Sequence, residues 1–205
     1  TATTVSYAKR CASTPDASRI SAVVVMISST VVFARVLVEI LIVAPQQFVP
    51  LGLPVGVLLV SAASASALAW FGVRRHSLEM PPQSNPTELK PALIFAGLYA
   101  AVLLGLAAGQ RYFAEQGTYA VAFFAGLTDM DAITLSTARM VQESGFGDQV
   151  TAKRGAKLIV LASLSNLLFK WVITLIMGNR RLAWRVGLLF VLPAVTACLL
   201  LLLLR

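Results

Sequence analysis

Charge is scarce in this chain: 13% of its 205 residues are Asp, Glu, Lys or Arg, about half the share of a soluble domain. Hydrophobic residues make up 58%, and the mean hydropathy is +0.80. A chain this apolar cannot cover itself with polar surface, which excludes a soluble globular domain and makes the lipid bilayer its solvent. Cysteine and histidine are scarcer still. Cys11 and Cys198 stand far apart, with neither metal-ligand spacing nor a disulfide framework, and read as small buried hydrophobes. The lone His76, in Arg74-Arg75-His76, reads as an interfacial residue rather than a ligand. No Ser/His/Asp grouping, phosphate loop or dinucleotide fingerprint is present, so neither catalysis nor a bound cofactor is expected.

Acidic residues are the minority charge, 9 against 17 Lys and Arg, for a net charge of +8. On a soluble protein that balance would suggest nucleic acid. Here the basic residues stand mostly between apolar runs, the pattern of loops at an anionic membrane face. The aromatic and glycine arrangement of a nucleic-acid module is absent, so nucleic acid is not an expected partner.

What is present is six apolar runs, Ile20–Val43, Leu53–Val73, Pro91–Gly109, Thr118–Met140, Leu158–Gly178 and Val186–Leu204. Each is long enough to cross about 30 Å of hydrocarbon as a helix. The expected fold is an all-α polytopic transmembrane bundle, residues 1–205 forming one domain with a central span over 91–113. With the N-terminus of the chain cytoplasmic, eleven Lys and Arg from Lys9 to Arg205 lie inside and only Arg111, Arg180, Arg181 and Arg185 outside. The last three, in the segment 179–185, break the positive-inside rule and give that loop a reason to be explained.

The opening segment matches a later one. Ala2, Thr4, Ser6 and Ala8 are identical to Ala132, Thr134, Ser136 and Ala138, and Ser28-Ser29-Thr30 before Arg35 resembles Ser163-Leu164-Ser165 before Lys170. Residues 1–75 and 131–205 therefore read as repeat-related parts, with Arg35 opposite Lys170. On this reading the chain begins inside a helix of its first repeat and is the C-terminal part of a longer protein.

Five ionisable residues fall inside the apolar runs: Arg35, Glu39, Asp129, Asp131 and Lys170. Such groups are costly in hydrocarbon and usually mark an ion path, a relay or a buried pair. Arg35 and Glu39, four apart, share a helix face and can pair. Asp129 and Asp131, two apart, would point to opposite faces of a regular helix. A break after Gly126 would turn both carboxylates, the Thr128 hydroxyl and freed carbonyls toward one cavity, an oxygen-rich set suited to a hard cation. The bland alternative is that the aspartates only neutralise Arg35 and Lys170. Asn166, Thr134 and Ser165 read as supporting hydrogen-bonding groups, or as interhelical packing.

The element Ala125-Gly126-Leu127-Thr128-Asp129-Met130-Asp131-Ala132-Ile133-Thr134, preceded by Asn85-Pro86-Thr87-Glu88-Leu89, resembles the C-terminal membrane domain of MgtC/SapB-type proteins, the domain of unknown function 4010. The opening Thr1–Ala8 and the Val32–Leu37 run fit the same pattern. The resemblance implies a multi-pass bacterial inner-membrane protein linked by association to metal-ion transport or homeostasis, with an N-terminal domain elsewhere in the full-length protein.

The expected function is a transporter or channel for a divalent metal cation. Asp129 and Asp131 would be ligands, Thr128 an accessory oxygen, and Arg35, Glu39 and Lys170 charge partners. Expected partners are lipid, the metal ion as substrate, the N-terminal domain of the full-length protein and a second copy of the chain. The alternatives are a non-transporting regulatory protein and an exporter of a small polar or anionic solute.

Overall fold

The computed structural model describes residues 1–13, 17–73, 117–144 and 148–204. Among them are seven α-helices and no strand: α1 (Ala2–Ser13), α2 (Ser18–Val43), α3 (Phe48–Val73), α4 (Gly117–Thr128), α5 (Met130–Glu143), α6 (Gln149–Met177) and α7 (Arg180–Leu203). The chain is an all-α helical membrane bundle. Four helical segments, α2, α3 with its preceding 3-10 turn, α6 and α7, are long and apolar enough to cross a membrane. The expected span over Pro91–Gly109 lies outside the described residues. The expected span over Thr118–Met140 is instead the two short helices α4 and α5, interrupted at Asp129.

Local chemistry sets the helix ends. No Gly or Pro interrupts α2, which stops at Ala44, the residue before Pro45, in a non-helical conformation. A 3-10 turn, Pro45–Gln47, then feeds α3. Helix α6 starts nine residues ahead of its apolar run because Asp148 caps it: the Thr151 amide and hydroxyl both donate to that carboxylate, at 3.1 and 2.6 Å. These bonds hold the Asp148 carboxyl below its ordinary value. Asn179 caps α7 by accepting from Leu182 N–H at 2.8 Å, and its amide donates to the Cys11 carbonyl at 2.6 Å. One side chain thus joins the end of α1 to the start of α7.

The buried faces carry the polar residues. On α6 these include Ser163, Ser165, Asn166, Lys170 and Thr174, while Leu168, Leu175 and Ile176 face outward. The same inversion holds on α2, with Ser21 and Ser29 inside and Val31, Val38 and Ile42 outside. Hydrocarbon accepts apolar side chains at no cost, so polar groups gather where other helices satisfy them.

Helices α1 and α5 each pack on α2 and α6; α3 packs on α2, α6 and α7; α7 packs on α6, α2 and α3. Exchanging α1, α2 and α3 with α5, α6 and α7 leaves this set of contacts unchanged. Helix α4 adds a further layer against α6 and α5.

Helices α4 and α6 approach each other backbone to backbone at Gly126. A Cβ on Gly126 would lie 2.5 Å from both the Cα and the carbonyl oxygen of Ala162. Gly126→Ala must force the two backbones apart and is expected to cost about 1–3 kcal/mol. Gly72→Ala, where nothing lies within 4 Å, is expected to leave the thermal midpoint in detergent unchanged or slightly raised.

Candidate functional site

The interruption between α4 and α5 is one residue long. Asp129 adopts an extended conformation, φ −145° and ψ 114°, three residues beyond Gly126. Its amide still closes α4 by donating to the Ala125 carbonyl at 2.9 Å. Its carboxylate turns onto α5 and accepts from the Asp131 amide at 3.0 Å. Asp129 is therefore the N-cap of α5, favoured there by the positive end of the helix dipole.

A break deprives backbone groups of partners, and α6 supplies a replacement for one of them. In a continuous helix the Gly126 carbonyl would accept from the Met130 amide. Here the buried Asn166 side chain donates to it at 3.0 Å, while Ser165 Oγ adds a bond at 2.5 Å to the Phe123 carbonyl, which lies within the unbroken part of α4. These donations come from the helix that Gly126 touches.

The capped end of α5 presents Asp131 to α2. Arg35 Nη2 donates to Asp131 Oδ1 at 2.5 Å, and Arg35 Nε stands 3.7 Å from Glu39 Oε1. Glu39 also lies within hydrogen-bonding reach of Asp131 and within the field of Asp129. Two ionised carboxylates offer only acceptors, and Glu39 Oε2 is buried without a hydrogen-bond partner. Two carboxylates thus share one guanidinium, and Asp129 stands beside them with its carboxylate on the Asp131 amide. The Arg35 side chain remains 55% exposed, that of Asp131 29%, and Asp129 is exposed.

Lys170 lies apart from these acids. It is 1% exposed, and its ammonium donates to Ser29 Oγ at 3.2 Å, while Ser29 donates onward to the Val25 carbonyl. Among the described residues no carboxylate lies within ion-pairing distance of it. Thr134, one turn beyond Asp131, is fully buried with a hydroxyl that has no partner. Thr4, its match in the opening segment, has the same burial and the same unpartnered hydroxyl. Thr128 ends α4, and its side chain lies outside the described residues.

The structure thus brings Arg35, Glu39, Asp129 and Asp131 together and leaves Lys170 on a separate polar contact. Among the described residues no three Asp, Glu, His or Cys side chains stand close enough to enclose a metal ion. Ser29, grouped by sequence with Arg35 on its own helix, serves Lys170 on another helix. No spacing within either segment signals that crossing.

A membrane bundle with an acid-rich helix interruption is the class these features define. The chain belongs to the family described as Domain of unknown function (DUF4010), which it matches over residues 1–178. It is 34% identical over 98 residues to an uncharacterized protein of Aquifex aeolicus (strain VF5). That stretch covers 48% of this chain and 41% of the relative, so the chain spans under half of that protein's length. No solved structure matches the chain.

Two substitutions follow from this geometry. Asn166→Ala strands the Gly126 carbonyl and is expected to cost about 1–3 kcal/mol in a detergent unfolding titration. Lys170→Met removes a buried ammonium that has no carboxylate partner, and Ser29 keeps its bond to Val25. It is expected to match or exceed the parent's stability in the same titration, whereas breaking a buried ion pair costs about 3–5 kcal/mol.

Proposed function

We propose that this protein is a bacterial inner-membrane transporter or channel for a divalent cation, with the N-terminus of the chain cytoplasmic. Asp129 and Asp131 at the α4–α5 interruption are its acidic ligands, Thr128 adds an oxygen, and Arg35 is a tethered counter-charge. The observation that carries this reading is the charge imbalance at the break. Arg35 is shared by Asp131 and Glu39, with Asp129 beside them, a surplus of two negative charges when all three acids are ionised. A divalent cation balances that surplus, and hard cations take carboxylate and carbonyl oxygens.

With Arg35 on Asp131 the site is locked. An arriving cation displaces the guanidinium, which swings into the exposed space its side chain already reaches, and Asp131 and Glu39 then turn to the ion. Binding therefore competes with an internal ion pair. The likeness of the Gly-Leu-Thr-Asp-Met-Asp element to MgtC/SapB-type proteins supports the same reading.

The test is flux of a panel of divalent metals into liposomes carrying the full-length protein. Asp131→Asn and Asp129→Asn are expected to reduce metal flux at least about tenfold while the protein still inserts and purifies. Arg35→Gln is expected to tighten apparent metal affinity. Full flux in both aspartate variants would refute the site.

One observation favours a second reading. Lys170 is a buried cation with only a hydroxyl partner, a group that can receive a small anionic solute. Anion-stimulated flux that survives Asp131→Asn and disappears in Lys170→Met would select this alternative.

A further inference from the structure

The transport reading leaves the basic segment at the start of α7 unexplained. Arg185 has a structural role, its guanidinium donating to Ser18 Oγ at 2.5 Å. Arg180 and Arg181 have neither a hydrogen bond nor an ion pair among the described residues. Both stand at the mouth of a groove of about 1040 Å³ between α6 and α7.

Below the two arginines the groove is apolar. Leu168 and Leu175 of α6 and Leu188 and Val191 of α7 form its walls, and all four are exposed on the outer face of the bundle. Trp171 forms part of its floor, with the indole N–H satisfied by the Ala183 carbonyl at 3.1 Å. Gly187 makes room for that ring, since a Cβ there would lie 2.8 Å from Trp171 Nε1. From Arg180 to Ala194 the groove follows α7 for about 21 Å at 1.5 Å per residue, more than the about 15 Å of hydrocarbon in one leaflet. Trp184, 75% exposed, stands at the charged end, where an amphipathic ring marks the membrane–water boundary.

We propose that this groove binds one anionic glycerophospholipid, an acyl chain lying between α6 and α7 and the phosphate held by Arg180 and Arg181. Charge complementarity selects this occupant. A zwitterionic lipid brings its own cation beside its phosphate and offsets the two guanidinia less, and a free phosphate would leave the apolar length unfilled. The fork geometry of Arg suits a phosphodiester. The site also accounts for two of the three arginines of the segment 179–185 that violate the positive-inside rule: the positive charge of Arg180 and Arg181 meets a bound headgroup.

The test uses the full chain carrying Trp70→Phe, which confines tryptophan emission to Trp171 and Trp184. The protein is reconstituted into phosphatidylcholine vesicles and titrated with brominated phosphatidylglycerol or brominated phosphatidylcholine. Brominated phosphatidylglycerol is expected to quench at about thirtyfold lower mole fraction. Arg180→Gln with Arg181→Gln should abolish the difference, and the double Lys variant should restore most of it. Ala194→Phe, which fills the groove end and keeps both charges, should weaken quenching by both lipids. Added inorganic phosphate should not compete. Equal quenching by the two lipids in the parent protein would overturn the proposal. So would weak quenching by both together with a disulfide-linked dimer of the Leu188→Cys variant, because a second copy would then cover the groove. Metal flux that persists in the arginine variants leaves the transport reading intact, so the two proposals fail separately.

Discussion

The approach of Gly126 to the backbone of Ala162 is the contact on which the acidic site depends. It brings α4 close enough to α6 for Ser165 and Asn166 to reach carbonyls of the neighbouring helix. An interrupted helix in a bilayer needs a donor such as Asn166 for the carbonyl it strands, because water is not there to replace it. Asp129 then completes the far side by capping α5. The interruption is thus held from both ends by polar groups within the protein, and it sets the direction in which Asp131 leaves α5.

The intramembrane charges divide into two settings. At the break, acids outnumber the guanidinium they share, and the cluster is partly open. Around Lys170 the packing is closed, and its partner among the described residues is the Ser29 hydroxyl. On the proposed reading the first setting exchanges its internal cation for an external one, whereas the second must rearrange before anything reaches it.

The sequence displayed the long helices plainly, because apolar runs of this length have few other stable forms in lipid. The conflict between Asp129 and Asp131 on a regular helix also signalled irregular backbone. The position of the interruption was less legible. Gly126 suggested a conformational role, but its missing side chain serves a helix contact, and the short acidic Asp129 takes the extended conformation. Helix starts were under-read where polar residues continue past the apolar run, as in the Asp148-capped first turns of α6. Partner choice was hidden altogether. Ser29 follows its own helix in sequence and serves another in space, and only tertiary packing decides that.

The exchanged contacts have a consequence for how the molecule is put together. Helix α1 leans on α6 as well as on α2, and α5 on α2 as well as on α6. Each stretch of chain therefore seals part of the other, as in a pair of clasped hands. A chain cut between α3 and α4 would give two fragments, each with a long helix stripped of one cover and its polar seam open to lipid. Neither fragment would be a self-sufficient unit, and pairing would close both seams at once.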